Sequence, residues 1–88
     1  LVSVNKNGVW IKTSGSPTKI ITGKKIIANQ LIDLTVYELD DENKIISRIE
    51  SKRADIANYN WIIDKPIIYK FKGEVKKEFK SKIIFSKW

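Results

Sequence analysis

Sixteen isoleucines are dealt along these 88 residues in short runs, and turn-forming residues cut each run before a helix can close several turns. β-Branched side chains are stiff at χ1 and suit a pleated, half-buried surface better than a helix. No stretch keeps apolar residues at i, i+3, i+4 and i+7 for more than two turns. The nearest helical rival is Asn43–Ala57, where Ile45, Ile46, Ile49 and Ile56 fit a helix loosely. Its β-branched load, and the Asn58-Tyr59-Asn60 turn behind it, favour a long bent strand instead.

The punctuation predicts strands at Val9–Lys12, Lys19–Ile21, Lys25–Gln30, Asp33–Leu39, Ile45–Ala57, Trp61–Lys65, Ile67–Lys72 and Val75–Phe85. Ser14-Gly15-Ser16-Pro17 reads as a loop, and Thr22-Gly23-Lys24 as a tight turn or bulge. Asp40–Asn43 and Lys72-Gly73-Glu74 close hairpins, and Lys65-Pro66 interrupts a ladder because proline has no N–H to donate. Many short strands separated by turns describe an all-β fold: one small antiparallel sandwich or barrel spanning residues 1–88.

A chain of this length supports one domain that buries roughly 60% of the surface its unfolded form exposes. Cysteine and histidine are both absent, so neither disulfides nor Cys/His metal sites reinforce the core, and no cofactor is expected. The longest apolar runs fall far short of the ~20 residues that cross a bilayer as a helix. No methionine occurs, even at position 1, which leads us to expect a domain excised from a larger protein.

The formal charge is +7, yet only Arg48 and Arg53 are arginine among 17 basic residues. Arginine is the preferred residue for bidentate phosphate and base recognition, so a solvated basic surface is favoured over a nucleic-acid groove. Charge is uneven along the chain: residues 1–29 are basic, 30–64 acidic and 65–88 basic.

Catalytic chemistry is poorly supplied. Without histidine no Ser-His-Asp or Cys-His arrangement is possible. The densest carboxylates, Asp40, Asp41 and Glu42, sit in a predicted solvated turn, without the burial that tunes a carboxyl for acid–base work. They also lack calcium-loop spacing, and no glycine-rich phosphate loop follows a strand. We expect no enzyme.

The apolar surplus is more informative. Doublets such as Ile20-Ile21, Ile26-Ile27, Ile45-Ile46, Ile62-Ile63 and Ile67-Ile68 break the alternation of a sheet with one wet face. They imply bulges, strands buried on both faces, or an apolar surface that takes a ligand or partner. Trp10 and Trp61 are expected in the core.

One ordered set of segments carries a family resemblance. Asn7-Gly8-Val9-Trp10-Ile11-Lys12 is followed by Val36-Tyr37-Glu38-Leu39-Asp40, an acidic turn, Ser51-Lys52-Arg53-Ala54 and Trp61-Ile62-Ile63. This order resembles the periplasmic domain of the lipopolysaccharide-export permeases, the LptF/LptG (YjgP/YjgQ-like) family, with its G-x-W, Y-E-x-D, A-x-x-A and W-x-L strands. Ser51 stands where the family has the first alanine, a small-for-small change.

The resemblance implies an antiparallel β-jellyroll inserted between membrane helices of an inner-membrane ABC-transporter permease. Such a domain sits in the periplasm and passes lipopolysaccharide toward the periplasmic bridge. An LptC-like jellyroll would join it by edge-strand pairing, and a partner permease subunit and an ATPase subunit would meet the membrane part. The apolar positions on one assumed face of the central strands, expected to line a lipid path, are Leu34, Val36, Ile49, Ile56, Trp61, Ile63, Ile68 and Phe79. A basic β-barrel binding single-stranded nucleic acid on aromatic residues is the alternative, although nucleic acid is not the expected partner.

Overall fold

The computed structural model describes the backbone of residues 2–5, 8–13, 17–58, 60–71, 75–78 and 83–86, with side chains at 8–13, 17–58 and 60–71. Among the described residues, ten strands form one antiparallel curled sheet: β1 (Val2–Asn5), β2 (Gly8–Lys12), β3 (Thr18–Gly23), β4 (Lys25–Ile27), β5 (Gln30–Leu39), β6 (Ile45–Asp55), β7 (Asn60–Ile63), β8 (Ile67–Lys70), β9 (Val75–Glu78) and β10 (Ile83–Ser86). The all-β antiparallel expectation is borne out, and the segment that rivalled as a helix is the eleven-residue strand β6.

The ten strands reduce to a simpler path. Along β5, the pairs Thr22↔Thr35 and Lys25↔Ile32 share one register, so β3 and β4 are a single strand creased at Gly23-Lys24. Along β6, Glu50↔Ile67 and Ala54↔Ile63 also share one register, so β7 and β8 are one strand interrupted at Asp64-Lys65-Pro66. Lys65 takes a φ of 45° there, and the proline adds no donor to the ladder, as the sequence predicts. Strands adjacent in sequence are neighbours in space, which is a meander folded over a transverse crease.

The crease shows in the burial pattern. In β5 the buried apolar positions step from Leu31 to Leu34 and then to Val36; in β6 they step from Ile49 to Ala54. An odd step moves a strand's apolar set to its other face. Both strands change face at the same level, beside Asp33, whose φ of 52° turns the backbone. The ladder therefore keeps its register on either side: Ile32↔Arg53 before, Leu34↔Ser51 after.

Three expectations need correction. Lys25–Gln30 is not one strand, because Ala28 at φ 53° and Asn29 form a turn and Gln30 opens β5. Val2–Asn5 is an additional strand pairing with β2. Val75–Phe85 is two strands on different partners, β9 on β8 and β10 on β7. The Ser14–Ser16 loop and the Lys72–Glu74 turn lie outside the described residues.

Candidate functional site: the interior between two leaves

The crease divides the sheet into two leaves whose apolar faces share one cluster. The longer leaf supplies Val9 and Ile11 from β2, Ile21 from β3, Leu34 and Val36 from β5 and Ile49 from β6. The shorter leaf supplies Leu31, Ala54, Trp61 and Ile63. Fully burying one such aliphatic side chain is worth ~1.5–3 kcal/mol, so this cluster dominates the stability of a chain without disulfides.

Of the eight expected interior positions, Leu34, Val36, Ile49, Trp61 and Ile63 are nearly inaccessible, and Ile56 and Ile68 pack against them. Phe79 lies outside the described residues. Sequence reasoning omitted Val9, Ile11, Ile21, Leu31 and Ala54. The alternation in Val9-Trp10-Ile11 was a usable signal for two of them, and it was overridden by the pull of Trp10 toward the core. The structure places Trp10 on the outer face at 39% exposed, because its neighbours Val9 and Ile11 take the inner one.

The isoleucine doublets divide into kinds. Ile62-Ile63 is an out–in pair at 37% and 0% exposed. Ile45-Ile46 marks a bulge, since Leu39 pairs Ile45 while Glu38 pairs Ser47, leaving Ile46 as the extra residue. Ile26 and Ile27 are both exposed.

Polar side chains fasten the edges of this interior. Ser47, buried beside the bulge, donates from Oγ to Glu38 Oε1 across the β5–β6 ladder at 2.8 Å. Ser51 Oγ donates to the carbonyl of Asp64, and Asp64 N donates to Arg53 O at 3.0 Å. These bonds hold the β7–β8 link against β6 where the ladder is interrupted. The Arg53 Nε–Asp64 Oδ2 ion pair at 3.1 Å lies over the same place. An open depression of about 820 Å³ follows the crease, with Asp33, Lys52, Arg53, Asp64 and Lys65 on its walls.

The longer leaf's outer face carries a cross-strand row of Ile20, Tyr37, Arg48 and Tyr69. The Arg48 guanidinium lies 4.5 Å from the Tyr69 ring centroid and 5.8 Å from that of Phe71. Its Nε is 3.2 Å from Glu50 Oε1, an ion pair in which the N–H is not aimed at the acceptor. The carboxylates of the Asp40–Asn43 turn have structural work: Asp40 Oδ1 accepts from Glu42 N and Lys44 N, both at 2.9 Å.

The arrangement offers apolar sequestration inside and cation–aromatic stacking outside. No family model matches the chain, and no curated protein matches it.

Proposed function

We propose that this chain is a periplasmic domain of a lipopolysaccharide ABC-transporter permease that relays lipopolysaccharide from the inner membrane toward the periplasmic bridge. The observation carrying the reading is the single apolar interior between two leaves of one creased sheet. Seven of the eight positions taken as apolar on one assumed face of the central strands meet there. Acyl chains entering that space would replace side-chain contacts while leaving water, a transfer worth ~25 cal/mol per Å² of apolar surface.

The described interior is close-packed, so entry requires the leaves to part at an edge. Backbone pairing supports this route. No ladder closes the sheet among the described residues: β1 lies at one end of the strand order, β9 and β10 at the other. An unpaired edge can also extend into a neighbouring jellyroll. In this reading ATP hydrolysis belongs to another subunit.

The test is a photo-crosslinking amino acid placed in turn at Val36, Tyr37, Ile62 and Ile63. Lipopolysaccharide adducts are expected at Val36 and Ile63, whose side chains are interior. Adducts confined to Tyr37 and Ile62 would overturn the interior route.

The outer row favours one alternative, binding of single-stranded nucleic acid, because aromatic rings interleaved with arginine form a stacking platform. That affinity would fall with salt at a log–log slope near −0.7 per phosphate contacted. A lipid clasp depends on acyl chains and survives moderate salt.

A further inference from the structure

We propose that the outer face of the longer leaf binds a neutral, extended oligosaccharide laid across its strands. Register builds the site. Trp10, Thr22, Thr35 and Glu50 lie side by side on β2, β3, β5 and β6. The next row along the same strands is Ile20, Tyr37, Arg48 and Tyr69. Both rows point away from the interior, because the alternate residues, among them Ile11, Ile21, Val36 and Ile49, face the core.

The polar groups of this face are left for a ligand. Among the described residues, the indole N–H of Trp10 and the hydroxyls of Thr22, Thr35 and Tyr37 have no hydrogen-bond partner. Thr22, Thr35 and Tyr37 are half-buried, so each meets a ligand on the sheet rather than at the end of a long, mobile side chain. A hydroxyl donates and accepts, as a sugar hydroxyl does, so the row can match a polyol in either sense. Neighbouring strands lie ~4.8 Å apart, close to the advance per sugar in an extended chain.

Rings stand at both ends of this track. Trp10 closes it on β2, and Phe71, 46% exposed and beside Arg48, closes it beyond β6. The C–H groups of a sugar ring carry partial positive charge and pack on the negative face of an aromatic ring. Charge decides the kind of sugar. Arg48 and Glu50 offset one another at 3.2 Å, and the other charge of the two rows among the described side chains is Lys12, outside Ile20. A chain of formal charge +7 thus keeps this face nearly neutral, which suits an uncharged ligand better than a polyphosphate. The threonines also interrupt the apolar area that a protein partner would bury.

The site does not use the interior, so it stands or falls apart from the proposed relay. The test is heteronuclear NMR titration with cellohexaose and with a β-linked mannohexaose, both free of lipid. Saturable shifts of the Trp10 indole N–H and of the Tyr37 and Phe71 rings are expected with at least one, insensitive to moderate salt. Cellobiose or mannobiose, which spans fewer strands, should bind more weakly than its hexaose. Trp10→Ala and Thr35→Val should each weaken binding severalfold; the valine variant keeps the side-chain shape and serves if the alanine variant fails to fold. Ile27→Thr, on the shorter leaf, should leave binding unchanged. No response to either hexaose, or equal affinity for the disaccharide, would overturn the proposal. So would wild-type binding by folded Trp10 and Thr35 variants. Perturbation of the same resonances by oligothymidylate alone would give the face to single-stranded nucleic acid instead.

Discussion

Gly23 marks a place where the sheet requires a missing side chain. A Cβ there would sit 2.4 Å from Leu31 Cδ1 and 2.9 Å from Cγ, so Leu31 occupies the space a side chain would take. Leu31 in turn is fully buried between the leaves. Gly23→Ala should therefore cost about 1–3 kcal/mol through overpacking, measured by urea unfolding. Leu31→Val, which shortens the clashing side chain, should make the second substitution less costly than the first in a double-mutant cycle. Additive costs would place the strain elsewhere. Gly8 is constrained differently: its φ is 129°, and a Cβ would lie 2.6 Å from the carbonyl oxygen of Gly23. Neither requirement is readable from the sequence, because each depends on a strand contributed from elsewhere in the chain.

At the scale of elements, what could be read follows the reach of local chemistry. Strand β6 and the breaks at Asp40–Asn43 and Lys65-Pro66 are encoded by β-branching, acidic turn residues and proline, all acting within a few residues. The Ala28-Asn29 turn was missed because an alanine, with no turn signature, holds the positive φ. The inward phase of β5 and β6 was legible on the Val36 side of the crease, where apolar residues alternate. The change of face at Asp33 was not, since an aspartate in a strand signals a turn, a bulge or an edge equally well. Of the β5–β6 hairpin, Asp40 is the lock: one carboxylate oxygen serves two backbone donors. Asp40→Ala should cost about 1 kcal/mol and accelerate amide exchange at Glu42 and Lys44 specifically. Uniform acceleration along both strands would instead mean that the turn controls the whole hairpin.

At the largest scale, one apolar cluster among the described residues spans both leaves, so the two share a core. Leu34, from the strand that crosses the crease, touches that shared interior at 1% exposure. Leu34→Ala should lower stability by about 2–5 kcal/mol, with tryptophan fluorescence and far-ultraviolet circular dichroism still reporting a single transition. Two separated transitions would show that the leaves melt independently. The ion pair Glu42–Lys44 is solvated and Arg48–Glu50 and Arg53–Asp64 are partly so, and all three contribute little by comparison.

The matched reversal in β5 and β6 has a consequence for how such a chain tolerates length changes. Each strand counts residues from the fold line outward, and its neighbour keeps the same tally. An insertion of one residue in either strand alone would send every side chain beyond it to the wrong side unless a bulge absorbed it, as Ile46 is absorbed near the far turn. Paired insertions of two, one in each strand and both beyond the line, would only lengthen a leaf. The fold line thus works as a shared origin, and between it and the bulge variation in size proceeds in even increments.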